Sequence, residues 1–158
     1  MLRDTVTIDP YLRVAAIIRS VRGELLVVQH GKGDATFWTC PGGFVHKGES
    51  LSYALRRSIS DEIGAQIRIG DIACVGEVTL ARSERRRIEV FFWAEGFATC
   101  ERAPSITWAT PHDLAARFSP TVVLDALARG THGAYLGNIT DRSRALPAQR
   151  SGSRRARV

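Results

Sequence analysis

The sequence predicts an α/β (α+β) fold in a single domain. Three observations carry this expectation. Short apolar runs rich in β-branched residues alternate with amphipathic stretches in the order strand, strand, strand, helix, strand, strand, strand, helix. The chain has 158 residues, 44% of them hydrophobic, enough for one real core. No internal repeat or linker interrupts residues 1–140, which are read as the domain, with residues 141–158 read as a disordered, arginine-rich tail.

Each element has its own signal. Leu12 to Ser20 is rich in β-branched and small apolar residues and reads as a strand; Val21 to Glu24 is a turn; Leu25 to Gln29 reads as the return strand of a hairpin. Gly31 to Ala35 is a polar loop, and the short apolar run Phe37 to Cys40 ends at Pro41-Gly42-Gly43, a loop signal. Ser50 suits a helix N-cap, since its hydroxyl can accept a free N–H of the first turn. Leu51, Ala54, Leu55, Ile59 and Ile63 then recur at helical steps, and Gly64 stands where a C-terminal cap belongs. Ser58, Asp61 and Glu62 fall at i, i+3 and i+4 of this helix, on one face apart from the apolar stripe. Ala73 to Leu80 and Ile88 to Ala94 read as strands around a basic turn, Ala81 to Arg87. Thr107 to Ala109 is a short apolar stretch, Pro111 opens a short helix, and Pro120, at a first helical position, opens another ending near Gly130.

Composition narrows the partners. The net charge of +6 sits mostly in the tail: from Asp141 onward six arginines oppose one aspartate, which leaves the body near +1. Nucleic acid is therefore not an expected partner, the tail being the one segment suited to touch it. No apolar run approaches the ~20 residues of a membrane helix, so no membrane partner is expected. Residues Met1 to Thr5 lack an apolar signal region. Three widely spaced cysteines, Cys40, Cys74 and Cys100, suggest reduced thiols. A cytoplasmic location is the expectation.

The chemistry lies in Pro41 to Glu49 and the helix that follows. Phosphoric anhydrides repel nucleophiles, and their hydrolysis calls for a divalent cation and an activated water. Mg²⁺ and Mn²⁺ prefer oxygen ligands. Carboxylates one helical turn apart can converge on one ion, and glycines before the helix admit backbone close to it. Arg57, eight residues after Glu49 and four before Asp61, can clamp carboxylates in a bidentate pair.

These residues resemble the signature of Nudix hydrolases (MutT-like), G-x5-E-x7-R-E-U-x-E-E-x-G-U with U a bulky apolar residue. Gly43, Glu49, Arg57, Ile59, Glu62 and Gly64 match it, Asp61 conservatively replaces a glutamate, and Ala65 is small for the final U. Trp38 before Pro41-Gly42-Gly43, and Trp108 before His112-Asp113-Leu114, resemble the family's flanks. The resemblance spans roughly residues 12 to 130. It implies an α/β/α sandwich with a central mixed sheet. It also implies hydrolysis, dependent on Mg²⁺ or Mn²⁺, of a nucleoside diphosphate linked to another group, a nucleotide or nucleotide sugar. Glu62 and Asp61, with the carbonyl of Gly42, would be the metal ligands. Glu49 and Arg57 would be the clamp, and Gly43, Gln29, His30 and Arg87 would bind substrate. The expected partner is thus a small nucleotide derivative, with a homodimer as the alternative to a monomer.

Ser58 departs from the pattern, standing where most members carry a glutamate. A serine hydroxyl is a poor metal ligand and, without a neighbouring base, a poor proton acceptor. Glu101 is the first candidate to replace it as a catalytic carboxylate, with Glu89 and Glu77 as alternatives. GDP-mannose mannosyl hydrolases also lack this glutamate and attack the sugar carbon; a catalytically weak nucleotide-binding domain is the remaining reading. His46 in the signature loop is a candidate base, and Arg82, Arg85 and Arg86 join Arg87 as candidate phosphate contacts. Trp38, Phe92 and Trp93 are candidates for stacking on a base.

Overall fold

The computed structural model describes residues 11–79, 85–97 and 105–140. Its strands are β1 (Tyr11–Ile18), β2 (Leu25–His30), β3 (Phe37–Thr39), β4 (Gly42–Phe44), β5 (Gln66–Thr79), β6 (Arg86–Phe97), β7 (Ile106–Ala109) and β8 (Ala134–Asn138). Its helices are α1 (Leu51–Ile63), α2 (Pro111–Leu114) and α3 (Thr121–Ala128). A five-stranded sheet runs β4-β1-β6-β5-β8, and a three-stranded sheet runs β3-β2-β7. The large sheet is mixed: β1 pairs parallel with β6 and β5 parallel with β8, whereas β1–β4 and β5–β6 are antiparallel.

The alternation of β1 divides the core. Val14, Ala16 and Ile18, with Val90 and Phe92 of β6, pack under Ala54, Leu55, Ile59 and Ile63 of α1. Ala15, Ile17 and Phe91 face the other way, onto Leu114, Phe118 and the Val123, Leu124 and Leu127 stripe of α3. Helices therefore cover both faces, giving the expected α/β/α sandwich. Each fully buried Leu or Ile of such an interface contributes about 1.5–3 kcal/mol.

Several local expectations change. β1 and β2 are joined by a tight turn, with the Ser20 N–H donating to Glu24 O at 2.8 Å, but they share only the Arg19–Leu25 bridge and diverge into different sheets. Both strands are buried on both faces, so each needs two strand neighbours, and other segments supply them. Gly42 to Phe44 is an edge strand, not a loop: its two glycines let it lie against β1, where a Cβ on Gly42 would overlap the Val14 carbonyl. β5 begins seven residues earlier than expected, at Gln66, because register shifts around Ile72 hide its alternation. Arg86 and Arg87 belong to β6 rather than to a turn. β8 has no counterpart in the sequence reading, because Gly133 just before it and Gly137 within it, both at positive φ, make the segment read as loop. Pro120 precedes α3 as its N-cap instead of occupying its first position.

Candidate functional site

α1 is positioned at both ends by the expected caps. Ser50 Oγ accepts from the Tyr53 N–H at 3.1 Å, and Gly64 takes the left-handed conformation, its N–H donating to Ser60 O. Between these ends α1 lies beneath β4, and the signature residues meet there.

Arg57 and Glu49 form the expected clamp. Arg57 Nε donates to Glu49 Oε1 at 2.6 Å and Nη2 to Oε2 at 2.8 Å, while Nη2 also reaches Phe44 O at 2.9 Å. The His46 N–H donates to Glu49 Oε2 at 2.8 Å, closing the loop on itself. The Arg57 hydrogen bonds hold the Glu49 carboxyl well down, at about 2. One arginine thereby fastens helix, loop and edge strand together.

Glu62 reaches under the loop, where its Oε2 accepts from the Gly42 N–H at 3.1 Å. Burial raises the Glu62 carboxyl, opposed by that backbone N–H and by the charge of Arg13. Asp61, one residue earlier, is exposed and lies 4.0 Å from Arg57 Nη1. Ser58 does not share an open face with them, contrary to the helical spacing. It is 6% exposed, its Oγ has no hydrogen-bond partner among the described residues, and it occupies the space a Cβ on Gly43 would need. The lack of a Cβ at Gly43 lets the loop sit directly on the helix, which draws position 58 inside.

The remaining candidates divide. Gln29 and His30 end β2, as expected of ligand-reading positions; His30 is half-buried, stacks on Phe37, and shares a hydrogen bond with Thr39 Oγ1 at 2.9 Å. Burial, and then Arg13, lower its pKa. Arg87 is not on a turn. It is buried in β6, 2.6 Å from Glu89 Oε1, because Arg87 and Glu89 share the strand face turned away from α1. Glu77 is engaged by Tyr135 Oη at 2.7 Å and Arg86 at 3.2 Å. Phe92 is core, and the Trp93 indole N–H is held by Thr131 O. Cys40 and Cys74 are buried free thiols, Cys40 pushed up to about 12 by burial. Glu101, Arg82 and Cys100, and the tail from Asp141, lie outside the described residues.

Arg13 is the residue the sequence reading missed. Its Nη2 donates to Cys40 O at 3.2 Å and its Nη1 lies 3.8 Å from Glu89 Oε2. The available signal was a lone cation inside the apolar run Leu12 to Ile18.

The donor set fits a sparsely held cation. Among the described residues no three acidic, histidine or cysteine side chains gather closely enough to form a metal cage. Mg²⁺ needs no such cage: it is commonly bound through one or two carboxylates, waters and substrate phosphates. A half-buried Glu62 whose charge is disfavoured suits that arrangement. Two shallow hollows lie elsewhere, one of about 320 Å³ between α2 and α3 and one of about 280 Å³ beside Arg56 and Ser60. Of the site carboxylates Asp61 is exposed, whereas Glu62 is half-buried and Glu49 is held by Arg57.

A family model described as NUDIX domain matches residues 9–134. Among solved structures, the chain is similar to a MutT protein from Methanosarcina mazei Go1 at 25% identity and a TM-score of 0.58, covering 78% of this chain and 95% of that one. It is similar in fold to a UDP-X diphosphatase (18% identity, TM-score 0.63, 85% and 68% covered). The same holds for an ADP-ribose pyrophosphatase from Streptococcus suis 89-1591 (15%, 0.58, 80% and 98%). No curated protein matches the chain.

Proposed function

We infer the reaction from the family: this chain belongs to the NUDIX domain family and is a hydrolase of phosphoric anhydrides. We propose that its substrate is a nucleoside diphosphate linked to a second group, and that water attacks a phosphorus of the anhydride with the aid of Mg²⁺ or Mn²⁺. Similarity in fold to a UDP-X diphosphatase and an ADP-ribose pyrophosphatase supports that substrate class. The observation that carries the reading is the Glu49–Arg57 clamp with Glu62 docked under the Gly42 N–H.

The cation, when bound, neutralises phosphate oxygens and eases the ionisation of water. The chain's own residues do the rest. Glu62, with the exposed Asp61 beside it, supplies carboxylate oxygens for the cation, and the Gly42 carbonyl adds a backbone oxygen. The Gly42 N–H orients Glu62 and keeps one of its oxygens occupied. Arg57 and Glu49 neutralise each other and so fix the loop without competing for the cation. Gln29 and His30, at the end of β2, contact the rest of the substrate. Glu101 fills the catalytic role left open by Ser58. A cytoplasmic site of action belongs to the same proposal; no helix among the described residues is long and apolar enough to cross a membrane.

The test is turnover of a panel of nucleoside diphosphate derivatives with Mg²⁺ or Mn²⁺ by the wild type and Glu62→Gln. The expected result is metal-dependent hydrolysis that falls by about a hundredfold or more in the variant. Equal rates in the two proteins, or no turnover by the wild type on any substrate, would sink the reading. The burial of Ser58 against Gly43 keeps attack at the sugar carbon as a second reading. ¹⁸O-water decides between them: label in the phosphate product means attack at phosphorus, and label in the sugar means attack at carbon.

A further inference from the structure

We propose that Arg13 and Arg87, held together by Glu89, form an anion subsite on the sheet face turned away from α1, and that it takes a phosphate oxyanion of the substrate. The inference rests on the reading above, since it names how that substrate's charge would be held.

Three buried or half-buried ionic side chains meet on this face. Glu89 is 2% exposed and lies between Arg87 Nη2 at 2.6 Å and Arg13 Nη1 at 3.8 Å. Two guanidinium groups on one carboxylate leave an excess of one positive charge in a poorly solvated place. Uncompensated buried charge is costly, and an incoming anion relieves the cost. Burial lowers the Arg87 pKa, opposed by the charge of Glu89 and reinforced by that of Arg13. Arg87 Nε and Glu89 Oε2 have no hydrogen-bond partner among the described residues. Those two atoms are sealed from solvent, so an incoming anion meets Arg13, whose side chain keeps 16% of its surface exposed and whose guanidinium fork matches phosphate oxygens.

The location suits the same ligand. Arg13 pairs across the sheet with Phe44 on one side and Glu89 on the other. Its hydrogen bond to Cys40 O sets it two residues before Gly42, whose N–H holds Glu62. Its charge is felt at both Glu62 and His30. The site thus has an anionic side, Glu62 and Asp61, which needs a cation to hold phosphate, and a cationic side, which does not.

That difference supplies the experiment. Inorganic pyrophosphate is titrated into the full-length protein in EDTA, and the melting temperature is followed. The wild type is expected to be stabilised without metal, Glu62→Gln, which removes a negative charge from the site, to respond at least as strongly, and Arg13→Gln to bind about tenfold more weakly or worse. Arg13→Lys, which keeps the charge but not the fork, is expected to fall between. Arg13 is the residue to change because Glu89 then retains Arg87 at 2.6 Å, so the fold is not left with an orphaned carboxylate. Absence of a metal-free response in the wild type, or an equal response in Arg13→Gln, overturns the proposal. A metal-free response lost in Arg13→Gln, in a protein that hydrolyses nothing with Mg²⁺ or Mn²⁺, upholds the subsite and removes the hydrolytic reading instead. Where turnover is found, Arg13→Gln should raise KM more than it lowers kcat.

Discussion

Glu62 illustrates how one side chain carries opposed demands. Burial raises its folded-state pKa, so the native state holds its proton more tightly than the unfolded chain does, and stability falls as pH rises through that folded value. At neutral pH its charge is a cost. Glu62→Gln, which keeps an oxygen for the Gly42 N–H, should therefore stabilise the protein by about 0.5–1 kcal/mol in thermal melts while removing metal-dependent turnover. A fall in melting temperature would mean the carboxylate is structurally useful as well. Glu49 has the opposite sign. Its carboxyl is depressed from 4.5 to about 2, first by the Arg57 hydrogen bond, so its contribution is complete above pH 4.5 and is lost as pH falls toward 2. Acid titration of the wild type should show that loss, and Glu49→Gln should flatten the stability curve over the same window.

At the scale of elements, contact between β4 and α1 sets the geometry of the site. Gly43 and Ser58 fit because one lacks a side chain and the other has a short one. Gly43→Ala should cost about 1–3 kcal/mol in denaturant unfolding, and the cost should shrink in a Ser58→Gly background; additive effects would show that the two do not press on each other. The same contact marks where sequence stops being legible. Helical periodicity and caps located α1 from Leu51 to Ile63, and signature spacing located the Glu49–Arg57 pair, because both signals are local. Neither could place Ser58 indoors, since its burial depends on an edge strand made of glycines that reads as loop. Arg87 was read as an exposed turn residue for a similar reason: its company of arginines suggests solvent, but the pairing of β1 with β6 puts it beside Glu89. For Arg13 the sequence offers only a lone cation in an apolar run; its partners follow from β4 and β6 flanking β1.

For the whole molecule, charge and topology have separate consequences. The excess of positive charge lies from Asp141 onward. Removing residues 141–158 should leave hydrolysis unchanged and sharply lower the salt concentration at which the protein elutes from a cation exchanger; a matched loss of activity would tie the tail to catalysis. Topology bears on time. β1 is made well before its parallel partner β6, which begins only at Arg86, with Tyr11 set against Arg87. The signature helix is complete by Ile63, well before that partner exists. Contacts so distant along the chain are slow to close, so a ribosome-bound chain stopped short of residue 97 carries every signature residue without the wall that finishes the site. Competence arrives late, no earlier than β6.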